Sequence, residues 1–89
     1  MLTLPATLTH DQASETARGL QSQVASQTEA VVLDASALTQ FDSSALAVVL
    51  ACRREAMTAG KTFVVLGLPA RLAQLASLYG VAELVPAAA

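Results

Sequence analysis

The chain has 89 residues, 54% of them hydrophobic and only 3% aromatic, with a formal net charge of −2. That length supports one domain with a modest core, resting on Leu and Val because alanine buries little area. The acidic balance leaves no basic patch for nucleic acid or for an anionic membrane, so neither is expected as a partner.

Leu2, Leu4, Ala6 and Leu8 alternate with Thr3, Pro5, Thr7 and Thr9. This period of two predicts a half-buried strand, at an edge or irregular because Pro5 cannot donate to a ladder. Thr9 to Gln12 has the spacing of a capping box, with Asp11 as a competing cap. The helix it opens stripes Ala13, Ala17, Leu20 and Val24 along one face. Ala30-Val31-Val32-Leu33 is a continuous apolar run ending at Asp34, as expected of a parallel strand buried on both faces. Ala35 to Phe41 reads as a loop, and Asp42 or Ser43 as the N-cap of a helix that runs to about Ala59.

Gly60 supplies a left-handed stop, and Lys61 reads as a solvated turn residue before the buried strand up to Leu66. Gly67-Leu68-Pro69 turns the chain into a third helix striped by Leu72, Leu75, Leu78 and Tyr79, with Tyr79 a half-buried cap before Gly80. Val81 to Val85 reads as a last extended piece, and residues 86–89 as a frayed tail. The expected fold is α/β, a small mixed and largely parallel sheet of about four strands packed with helices, in one domain over residues 1–85.

Several classes of chemistry find no support. No Gly-rich phosphate loop and no supported Ser-His-Asp set occur, so no enzyme and no cofactor is expected. His10 stands alone, without the companions of a metal site. Cys52 has no partner for a disulfide and lies among apolar residues, where a thiol is inert. The longest apolar run, Ala45 to Cys52, is too short to cross a bilayer, and the N-terminus lacks the pattern of a signal peptide. A cytoplasmic protein is expected.

The junction Asp42-Ser43-Ser44 carries the functional interest. It lies at the carboxyl end of a strand and the start of a helix, where backbone N–H groups and the helix dipole favour negative charge. The plain reading is a good N-cap. The helix behind it, however, has no polar side chain from Ala45 to Cys52. Leu46, Val49, Leu50, Arg53 and Met57 are expected mostly to face the sheet, which leaves Ala45, Ala47, Val48 and Ala51 on the flank and outside. Either alanine is there as a good surface helix former, or a partner covers that side within a rim of Arg53, Arg54 and Glu55.

Val31-Val32-Leu33-Asp34-Ala35-Ser36 followed by Asp42-Ser43-Ser44-Ala45-Leu46 resembles the signature of the STAS domain family. The likeness extends through Gly60-Lys61, the strand after it and the leucine-striped helix, nearly the whole chain. Two branches are implied. In bacterial anti-anti-sigma factors the first hydroxyl after the Asp, here Ser43, is phosphorylated, which abolishes partner binding. In the MlaB-type subunit of Mla ABC transporters, which move phospholipids and maintain outer-membrane lipid asymmetry, the domain sits on the cytoplasmic ATPase subunit and supports its assembly and activity. The short chain, Ala45 in place of the Gly usual in sigma regulators, and the alanine-rich helix favour the second branch. The resemblance then implies an ATPase partner with a membrane permease in the same complex. Contact is expected through Asp42, Ser43, Ser44, Ala47 and Arg54, with Asp34 and Ser36 supporting the loop.

Overall fold

The computed structural model describes residues 1–85 and the backbone of residues 87–88. The N-terminal alternation forms two short strands, β1 (Leu2–Thr3) and β2 (Thr7–Leu8), broken at Pro5. Helix α1 (His10–Val24) follows, then β3 (Ala30–Asp34), β4 (Gln40–Phe41), α2 (Ser43–Thr58), β5 (Thr62–Leu66), α3 (Ala70–Leu78), a 3-10 turn (Ala82–Leu84) and β6 (Ala87–Ala88). The main sheet has the order β1-β3-β5-β6, while β2 and β4 pair apart from it. Every pairing among the described residues is parallel, in keeping with the largely parallel sheet expected. β1 is an edge strand and broken at Pro5, which meets the proline's lack of a donor in both ways.

The strand order follows the chain, so each right-handed crossover places its helix on the same face. Burial alternates accordingly. Leu2, Val31, Leu33, Phe63 and Val65 are buried under the helices. Val32, Val64 and Leu66 point the other way and stay partly exposed. β3 and β5 are therefore buried on one face, not both as their apolar runs predict. A sheet wound in one direction has no helices left to cover its second side.

The start of α1 is capped as expected. Gln12 Oε1 accepts from Thr9 N at 2.9 Å and from Thr9 Oγ1 at 2.7 Å. Leu20 and Val24 are buried, and Ala13 and Ala17 pack against the core. The C-terminal end of α1 departs from expectation, because Lys61 is not a solvated turn residue. Its Nζ donates to Val24 O at 2.7 Å, Gln27 O at 2.8 Å and Ala25 O at 3.4 Å. An ammonium there satisfies carbonyls that the helix end leaves free and meets the negative end of the dipole.

Helix α2 buries Ala45, Leu46, Val48, Val49, Cys52 and Ala56. The expected sheet-facing stripe is thus displaced toward smaller residues, and Met57 is 53% exposed. Small side chains at Ala45, Cys52 and Ala56 let the helix lie close to the sheet. Helices α1 and α3 pack on either side of it, which covers Val48 and leaves Leu50 half-buried. Gly60, with φ 73°, takes the left-handed turn after the helix. In α3 the buried residues are Leu72 and Ala76. Leu78, six residues after Leu72 and so turned away from the buried face, is 76% exposed, and the C-cap Tyr79 is 57% exposed rather than half-buried. Val81 to Val85 is not extended; it contains the 3-10 turn, and the last strand falls at Ala87–Ala88. Of the expected frayed tail, Pro86 and Ala89 lie outside the described residues.

Candidate functional site

The loop from β3 to α2 is fastened on both sides. Asp34 Oδ1 accepts from Ser36 N at 2.9 Å and from Ser36 Oγ at 2.6 Å, an Asx turn at the end of β3. The Ser36 hydroxyl, and after it the Ser36 amide, hold the Asp34 carboxyl below the usual carboxylate range. Ala35 N donates to Leu66 O at 2.8 Å. Gly67, with φ 64°, approaches Ser36 so closely that a Cβ on it would lie 2.8 Å from Ser36 Cβ. On the other side, Thr39 N and Gln40 N donate to Ala6 O at 2.8 and 3.0 Å before β4 joins β2.

Asp42 ends the loop and serves two helices. Its Oδ1 accepts from Ser44 N at 2.8 Å, capping α2. Its Oδ2 accepts from His10 N at 3.1 Å, at the first residue of α1. Two positive helix ends therefore converge on one carboxylate. The Ser44 amide is the main reason that the Asp42 carboxyl sits low, against an opposing desolvation, with the His10 amide adding to it.

Ser43 is the first residue of α2. It is exposed, and its hydroxyl makes no hydrogen bond among the described residues. Ala47 and Arg54 are exposed on the same side of the helix, since offsets of four and eleven return to one face. Ser44 is half-buried, and its backbone serves the cap. Asp34 and Ser36 bond to each other at the far end of the loop and are not part of the α2 face. The structure thus brings together Asp42, Ser43, Ala47 and Arg54, with Ser44 turned partly inward and Asp34 and Ser36 as loop supports.

Beyond Ser43 the exposed side of α2 becomes a groove of about 550 Å³. Ala47, Leu50, Ala51, Met57, Thr58 and Leu84 line it together with the charged Arg53 and Arg54. Leu84 and Met57 were not legible as site residues. Leu84 lies in the expected extended piece, and Met57 fits the expected sheet-facing stripe. The Arg71 guanidinium lies 5.4 Å from the centre of the Phe41 ring, joining α3 to the strand just before Asp42.

No polar side chain is buried among the described residues. No cluster of His, Cys, Asp and Glu among them has the geometry to hold a metal ion. Burial pushes the Cys52 thiol up to about 11, with the Glu55 charge adding to it, so the thiolate needed for nucleophilic attack is suppressed. No described helix is long and apolar enough to cross a membrane. What the site offers is an exposed hydroxyl at a helix start and an apolar, cation-edged surface behind it.

No curated protein matches the chain. The family model described as "Mlab, STAS domain" matches residues 1–86. The match covers nearly the whole chain, which therefore belongs to the STAS domain family in its MlaB-like form.

Proposed function

We propose that this protein is a non-enzymatic regulatory subunit that docks on the ATPase of an Mla-type ABC transporter. Contact is made through the start and outer face of α2, with Ser43 at its centre. The observation that carries the reading is the face Ser43, Ala47, Leu50, Arg54 and Met57, which α1 and α3 leave uncovered in a domain matched by the MlaB-like family model. The domain acts by binding the assembled or active state of the ATPase more tightly than the alternatives, since only differential affinity shifts an equilibrium. Its place is then the cytoplasmic side of the inner membrane, held there by the ATPase and its permease, in a system that moves phospholipid and maintains outer-membrane asymmetry.

The test is Ser43→Arg. Ser43 is exposed, so the substitution leaves the fold intact. It should abolish co-purification of the ATPase and permease while the melting curve of the isolated domain stays unchanged. Retained co-purification would overturn the assigned surface. A second reading, a phosphorylation switch of the anti-anti-sigma type, is favoured by the exposed and unbonded Ser43 hydroxyl. A phosphate there would sit at the positive end of α2 and beside the Asp42 carboxylate, altering the local charge balance sharply. Mass spectrometry of the protein from its own cells separates the two: phosphate on Ser43 supports the switch, and bound ATPase supports the transporter.

A further inference from the structure

We infer that the groove between the outer face of α2 and the 3-10 turn receives an amphipathic helix of the partner, with acidic residues flanking its apolar stripe. The inference rests on the docking reading above and adds the chemistry of the segment that docks.

Three features of the groove select that occupant. Its length is one. From Ala47 to Thr58 the groove follows α2 for about 16 Å, at about 1.5 Å per residue, which a facing helix of about three turns matches. Its relief is the second. Ala47 and Ala51 are one turn apart and small, so a facing backbone can approach there, while the larger Met57 and Leu84 side chains of the same lining are exposed. Met57 is 53% exposed and Leu84 38%, a substantial apolar area to leave in water side by side. Helix-in-groove recognition uses this form, with apolar anchors spaced by three and four residues.

Charge is the third feature and selects between partners. Among the described residues Arg53 and Arg54 are the only charged ones in the lining, which there holds two cations and no carboxylate. A second copy of this chain docking face to face would set four arginines in one interface with no carboxylate from the lining. A helix with Asp or Glu beside its apolar stripe meets the same edge with opposite charge. Arg54 is exposed and free to reach toward a partner carboxylate.

The experiment places a photo-crosslinking amino acid at Ala51 in one variant and at Ser43 in another, in the full chain in its own cells. The crosslinked peptides are then sequenced. Adducts from Ala51 should map to a segment with apolar residues spaced by three and four and with flanking Asp or Glu. Adding Arg54→Glu should lower the Ala51 adduct yield by about tenfold, and Arg54→Lys should retain it. Adducts from Ala51 to a basic segment, or to a second copy of this chain, overturn the inference. Adducts from Ser43 without any from Ala51 overturn it too, while the docking reading stands. Adducts from Ala51 to an acidic amphipathic segment of a protein other than an ABC ATPase uphold the inference and overturn the transporter reading. Absence of adducts at both positions overturns both.

Discussion

Gly67→Ala tests whether the loop that presents Asp42 is set by a close approach of two chain segments. Two costs combine. A φ of 64° places an alanine in the left-handed region, which costs roughly 1–2 kcal/mol. The new Cβ would also lie 2.8 Å from Ser36 Cβ, 3.0 Å from Ser36 Cα and 3.1 Å from Ser36 N. Carbon atoms in contact prefer about 3.5–4.0 Å, so one segment must retreat by more than half an ångström. Strain of that kind typically costs about 1–3 kcal/mol.

A combined loss of about 3 kcal/mol corresponds to a fall in Tm of roughly 12–24 °C for a domain of this size. Urea unfolding gives the free energy, and amide chemical shifts show whether the change is centred on Ala35 and Ser36. Ser36→Gly in the Gly67→Ala background removes the nearest of the three contacts, although it also removes the Ser36 hydroxyl bond to Asp34. The double-mutant cycle should therefore show a favourable coupling of about 1 kcal/mol. A Gly67→Ala protein within about 0.5 kcal/mol of wild type, with shifts at Ser36 unchanged, would mean that the approach is not tight and the loop is not held from this side.

Three further outcomes follow from the packing. Lys61→Met keeps most of the aliphatic stem but loses the donors to Val24, Gln27 and Ala25, so it should cost about 1–2 kcal/mol and speed amide exchange in the last turn of α1. Val49→Ala, at a fully buried site, should cost about 2 kcal/mol in urea unfolding, whereas Met57→Ala should cost less than about 0.5; the reverse order would restore the stripe read from the sequence. Cys52 should resist alkylation in the native state. Because its thiol is raised from 9.0 to about 11, the folded protein keeps the proton longer than the unfolded chain. That contribution to stability is whole below pH 9 and is lost as pH rises through 11, so Cys52→Ala should flatten the alkaline fall in denaturation midpoint.

The features that the sequence determined by itself are those whose partners lie within a few residues. Thr9 and Gln12 cap one helix within a single turn, and Asp42 reaches Ser44 two residues on. Gly60 ends α2 through its own backbone freedom, with φ 73°. The apolar runs Val31–Leu33 and Phe63–Leu66 identify strands because local composition does. Alternation of strands and helices then gives the α/β class, and the Asp-Ser-Ser junction carries the resemblance to the family and opens the candidate site.

Tertiary structure decided which way these elements face. An apolar run does not say whether one side of a strand or both will be covered; the one-way order of the sheet leaves Val32 and Val64 on the open side. A helix apolar on every side has no moment to fix its rotation, so the neighbours of α2 fixed it, putting Ala45 and Cys52 inward and Met57 outward. Lys61 reaches a carbonyl 37 residues away, and Asp42 caps a helix that begins 32 residues before it. Leu84 joins the groove only because the chain returns past α3 to the side of α2. None of these contacts leaves a local pattern, since each depends on closing a long loop to a position that packing alone specifies.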